Sequence, residues 1–154
     1  MGDFGVSIQG NRAFIVPDTA KLDFRSITNQ GMPFYMGNVK YKFSVDIKEM
    51  GEYCLRVPSF KAPLLEVFLD GKRKGLIAFA PNRGNLGALS KGGHSIEITL
   101  YGNRQNVFGT LHNADDNYTW YGNGAYRTTG WQWTDSYKIR ETGIMSEIVI
   151  ERPI

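Results

Sequence analysis

The sequence predicts a single all-β domain, an antiparallel β-sandwich of the jelly-roll kind, and three observations carry that expectation. Apolar and polar residues alternate with a period of two over several stretches, which in an extended chain sends one set to a buried face. Turn-forming residues recur between those stretches, and 18 glycines suit a fold with many reversals. No stretch carries the longer period of an amphipathic helix. With 154 residues, 42% of them hydrophobic, the chain is long enough for one well-filled core and short for two.

The elements follow in order. Phe4 to Ile8 and Arg12 to Val16 read as a hairpin about Gln9-Gly10-Asn11. Val39 to Ile47 is the clearest strand, with Val39, Tyr41, Phe43, Val45 and Ile47 on one face. Met50-Gly51-Glu52 reads as a turn, after which Tyr53, Leu55 and Val57 resume the alternation up to Pro58. Cys54 falls within this strand, and an inert buried thiol is expected there. Leu64 to Leu69 is a strand closed by Asp70-Gly71, a pair suited to a two-residue hairpin because glycine accepts positive φ. Lys72 to Phe79 is the expected return strand, Pro81 to Asn85 a loop, and Lys91-Gly92-Gly93 a turn. His94, Ile96, Ile98 and Leu100 then share a strand face. Near the end, Trp131 and Trp133 have the same-face spacing of a core strand and are expected to be buried, and Ile148 to Ile150 close the chain before Pro153.

Charge narrows the classes of partner. The net charge is +3, and the basic residues are dispersed rather than gathered into a stripe or basic helix. The densest group, Lys72-Arg73-Lys74, follows a turn and reads as a solvated hairpin strand. Neither a nucleic-acid partner nor a membrane partner is expected. The first residues lack a basic region followed by an apolar run, so no signal peptide is read and a cytoplasmic location is favoured. A single cysteine permits no internal disulfide.

One segment departs from alternation. Residues 103–129 mix polar and aromatic side chains, and long irregular stretches in compact domains often carry function. A resemblance emerges at the same place. Residues 93–106, GHSIEITLYGNRQN, and residues 107–113, VFGTLHN, resemble a run in large bacterial glycoside hydrolases of the β-galactosidase, β-glucuronidase and α-L-rhamnosidase-like kind. Residues 28–37, TNQGMPFYMG, are similar to the entry into their galactose-binding-like jelly-roll domain. Residues 131–137, WQWTDSY, with Gly143-Ile144, resemble its closing strands. The likeness runs from about Thr28 to Glu151. It implies a fragment of a larger hydrolase: a non-catalytic accessory domain that binds carbohydrate weakly or positions the parent's catalytic domain. The alternative is a purely structural inter-domain module without a ligand. No ligand-binding set is carried over from the family.

Sugar recognition has its own chemistry. Pyranose C–H faces stack on aromatic rings, and hydroxyls need planar polar partners. Trp120 and Tyr121 are the candidate platforms; His112, Asn113, Asp115, Asp116 and Arg127 are the candidate hydrogen-bonding residues. Asp115 and Asp116 are adjacent and would point apart on an extended chain, unlike the facing carboxylates of a glycosidase. With Asn113 or Asn117 they are also a weak oxygen set for Ca²⁺; the alternative is local turn formation by Asx side chains. No other cofactor is expected. His94, His112 and Cys54 make no zinc pattern, and two histidines are too few for the clustered metal ligands of cupin-type enzymes. Cys54 has no nucleophile signature around it. Gly84-Asn85-Leu86-Gly87 lacks the Lys and the following helix of a phosphate loop.

Overall fold

The computed structural model describes residues 3–117 and 122–153. They form eleven strands, in chain order β1 (Phe4–Gln9), β2 (Arg12–Pro17), β3 (Val39–Ile47), β4 (Gly51–Arg56), β5 (Phe60–Lys61), β6 (Leu65–Leu69), β7 (Lys72–Ile77), β8 (Arg83–Leu89), β9 (Gly92–Leu100), β10 (Gly143–Ile144) and β11 (Val149–Glu151). The only helical pieces among the described residues are a four-residue α1 (Gln105–Phe108) and two 3₁₀ turns, Ile27–Gln30 and Asn123–Ala125. No described helix is long and apolar enough to cross a membrane. The chain divides into two compact units.

The sandwich unit comprises residues 23–25, 37–102 and 142–154. A four-stranded antiparallel sheet, ordered β3-β9-β6-β7, and a three-stranded one, ordered β11-β4-β8, form its layers; β5 and β10 pair separately. The period-two pattern sets the register. Val39 opposes Leu100, Tyr41 opposes Ile98, and Leu65 opposes Leu100 from the other side, so the buried face of the larger sheet is aliphatic apart from the Tyr41 ring at this point. Leu55, Leu86 and Leu89 of the smaller sheet are equally buried. The layers meet at Gly84 of β8: a Cβ there would stand 3.3 Å from Ile77 Cδ1 and 3.7 Å from Val67 Cγ2.

The Asp70-Gly71 hairpin forms as its sequence predicts, with φ of 48° and 76°. Asp70 also anchors the neighbouring strand. Its Oδ1 accepts the Ser95 N–H at 2.8 Å, and its Oδ2 lies 2.7 Å from His94 Nδ1. His94 Nε2 lies 3.0 Å from the Ser90 carbonyl. Both ring nitrogens thus face acceptors, which favours the imidazolium. The hydrogen bond to Asp70 raises the His94 pKa above its usual 6.5 and, reciprocally, lowers that of Asp70 below its usual 3.8.

Some expectations are corrected. The Pro81–Asn85 loop is cut short because Asn82 adopts a left-handed conformation (φ 58°) and reverses the chain, so that β8 already begins at Arg83. The return strand ends at Ile77, and Phe79 beyond it is 86% exposed. The reversal between β3 and β4 falls at residues 48–50, and Gly51 and Glu52 belong to β4. Cys54 is half-buried rather than buried.

The loop unit comprises residues 1–22, 26–36 and 103–141. Besides α1 and the two 3₁₀ turns it holds the predicted β1–β2 hairpin, in which Gln9 pairs with Arg12 across Gly10-Asn11. Gly31 comes close to β1: Val6 N–H donates to Gly31 O at 2.8 Å, and a Cβ on Gly5 would lie 3.2 Å from Gly31 Cα. Glycine at both positions lets the two backbones approach without crowding. Trp131 and Trp133 belong to no strand. Gly130 (φ 88°) turns the chain just before them, and Trp131 is 82% exposed, which corrects the expectation of burial; Trp133 is half-buried.

Candidate functional site

The site lies within the loop unit, where residues 103–141 are held by side chains and isolated backbone bonds instead of a sheet. Asn103 Oδ1 accepts the Gln105 N–H at 2.9 Å and starts α1. Gly109 ends it by donating its N–H to Gln105 O at 2.8 Å; a Cβ at this position would fall 2.2 Å from that oxygen, so the turn requires glycine. Asn106 is buried, and its amide bonds both backbone atoms of Arg140: Nδ2–H donates to the Arg140 carbonyl at 2.7 Å, and Oδ1 accepts the Arg140 N–H at 2.9 Å.

Between these ties, residues 111–114 run beside residues 132–138. Ala114 N–H donates to Gln132 O at 2.8 Å, Thr134 N–H to His112 O at 3.0 Å, and Lys138 N–H to Leu111 O at 2.7 Å; Asn113 and Trp133 form an antiparallel bridge. The pairing places His112 between two aromatic rings, 4.6 Å from Trp133 and 4.8 Å from Tyr137 by centroid, and Tyr137 in turn meets Phe34 at 5.7 Å. His112 Nδ1 lies 3.0 Å from the Thr134 carbonyl. A carbonyl only accepts, so Nδ1 carries a proton, and in the neutral ring Nε2 is the acceptor.

An open pocket of about 330 Å³ adjoins this stack, with His112, Asn113, Tyr126, Arg127, Thr128 and Trp133 among its lining residues. Tyr126 is held by its hydroxyl, which donates to Phe108 O at 3.0 Å, and Arg127 by its Nε–H, which donates to Gly124 O at 3.0 Å. Trp133 Nε1–H donates to Asp135 Oδ1 at 3.1 Å, leaving its ring as an apolar wall.

Of the residues singled out in the sequence, the structure brings His112, Asn113 and Arg127 to one pocket. Asp115 and Asp116 do not line it. Asn113 Oδ1 accepts the Asp115 N–H at 2.9 Å and Asp115 Oδ1 accepts the Asn117 N–H at 3.0 Å, two consecutive Asx turns. The exposed Asp116 carboxylate pairs with Lys138 Nζ, 3.1 Å from each oxygen. No group of three His, Cys, Asp or Glu residues is placed to hold a metal ion among the described residues. Trp120 and Tyr121 lie outside the described residues. The pocket adds Tyr126 and Trp133 to the expected set. The Thr128-Thr129-Gly130 turn signal is what separates Trp133 from a core strand in the sequence.

No family model matches the chain, and no curated protein sequence matches it. Solved structures do. A rhamnosidase from Novosphingobium sp. PP1Y aligns with a TM-score of 0.58 and 18% identity over 96% of this chain and 14% of its own. A GH2 beta-galacturonidase from Eisenbergiella tayi bound to galacturonate aligns with a TM-score of 0.51 and 19% identity over 97% of this chain and 22% of its own. The likeness is one of fold: this chain resembles a domain of a glycoside hydrolase and spans less than a quarter of either enzyme chain.

Proposed function

We propose that this chain is a non-catalytic accessory module of a glycoside hydrolase, its two units serving together, and that it binds glycan in the pocket of the loop unit. The observation that carries this reading is the gathering of His112, Asn113 and Arg127 with the rings of Tyr126 and Trp133 around one open pocket. Apolar rings beside a few fixed polar groups are what a sugar's C–H face and hydroxyl rim require. The coverage of a small part of two hydrolase chains supports the accessory role. The test is titration with a panel of monosaccharides and oligosaccharides, followed by Trp fluorescence and amide chemical shifts. Binding is expected to move the amides of residues 111–113 and 126–128 selectively; a flat response from every sugar refutes it.

A second reading, a structural module docked on the parent's catalytic domain, is favoured by one observation. The β1–β2 hairpin exposes Ile15 (77%) and Phe4 (50%) on one face, an apolar surface of the kind that marks a protein contact. Replacing Ile15 with Lys would weaken association with the catalytic domain while leaving sugar titrations unchanged. Unaltered association would remove this reading.

A further inference from the structure

We infer that the pocket selects a carboxylate-bearing sugar, a uronic acid, over its neutral counterpart; this rests on the glycan-binding reading above. The inference comes from counting donors and acceptors. Arg127 uses Nε–H on Gly124 O, which leaves the two Nη amino groups of a group that only donates and stays charged. Asn113 has its Oδ1 engaged by the Asp115 N–H, so its remaining offer is the pair of Nδ2 hydrogens. His112 Nδ1 is committed to Thr134 O. No aspartate or glutamate lines the pocket among the described residues, because Asp115 turns its Oδ1 to Asn117 and Asp116 pairs with Lys138.

The pocket therefore presents one fixed cation, several donors and no fixed anion. Sugar hydroxyls donate as readily as they accept, and carboxylates are the strongest partners for those O–H groups. A pocket without them offers a neutral sugar's donors only weaker, uncharged acceptors such as His112 Nε2. A carboxylate reverses the balance: it only accepts, and a guanidinium can meet it with two parallel N–H bonds. The pyranose ring of a uronic acid retains the C–H face that Tyr126 and Trp133 can cover.

Calorimetry and amide shifts on the whole chain would compare methyl galacturonoside and methyl glucuronoside with methyl galactoside, methyl glucoside and acetate, at low and high salt. The uronosides are expected to bind about tenfold more tightly than the neutral pair, a margin of one charge-assisted contact, and salt should narrow it. Arg127→Gln should abolish the margin, so that uronosides and neutral sugars bind this variant alike, and Arg127→Lys should restore part of it. Equal affinity for uronosides and neutral sugars, or a margin that survives in Arg127→Gln, overturns the acid selectivity while glycan binding stands. Acetate binding as tightly as the uronosides would make this a bare anion site. Silence from every ligand overturns the glycan-binding reading itself.

Discussion

In the sandwich unit the interior is mainly aliphatic: Leu55, Leu65, Val67, Leu86, Ile96, Ile98 and Leu100 are all essentially inaccessible, with Tyr41, Thr99 and Thr142 buried beside them. In the loop unit, Ile27, Pro33 and Ala125 are the buried apolar side chains among the described residues, and Ser26, Gln30, Asn106 and Asn113 are buried with them. One interior is held by removal of apolar surface from water, a force without direction. The other is held by hydrogen bonds and ring contacts, which have direction and fix particular atoms in particular places. The pocket lies in the loop unit, so its lining is fixed by the second kind of order.

The difference can be broken first where burial is deepest. Leu100→Ala removes a side chain of zero exposure from the strand paired with both β3 and β6, and should lower unfolding free energy by about 2–5 kcal/mol in urea titrations. A loss of under ~1 kcal/mol would show that the sheets repack. In the loop unit the matching change is Asn106→Ala, which strips partners from both backbone atoms of Arg140. About 1–3 kcal/mol is expected, with amide-exchange protection lost in residues 103–141 and retained in β9. Protection lost equally in β9 would contradict the contrast.

Smaller effects sharpen it. The His94–Asp70 pair makes part of the sandwich unit's stability depend on pH. His94 has a raised folded-state pKa, so its contribution is complete below 6.5 and fades as pH climbs through the raised value. Asp70 has a lowered one, so its contribution is complete above 3.8 and fades as pH falls through the lowered value. The stability difference between the native chain and His94→Gln, from urea midpoints, should be greatest between those two values and shrink on either side. A difference that grows above pH 6.5 would contradict the pairing. Lys138→Ala should matter least, under about 1 kcal/mol by thermal melting, because Asp116 is exposed.

The sequence reveals those parts whose physics is local. β3 and β9 follow from strict alternation, and Asp70-Gly71 from the demand for two positive φ angles. β8 stayed hidden because Gly84 and Gly87 contribute no side chain to a periodic pattern; Gly84 is there to let Ile77 approach, a reason that exists only once two sheets are stacked. Trp131 and Trp133 misled because a spacing of two is common to strands and to irregular chain, and the turn at Gly130 decides between them. The polar residues of the pocket were legible as a composition. Which of them converge was not, since Asp115 and Asp116 are drawn away by an Asx turn and an ion pair with a lysine 22 positions further on.

The paired hydrogen bonds between the Asn106 amide and the backbone of Arg140 have a consequence for how such a fold can vary. A side chain here stands in for a neighbouring strand and clamps the base of an excursion 34 positions long. The entropy of closing a loop grows only slowly with its length, so the clamp tolerates insertions and exchanges between its jaws. The residues it encloses can change in number at little cost to closure while the strand register of the sandwich unit is left untouched.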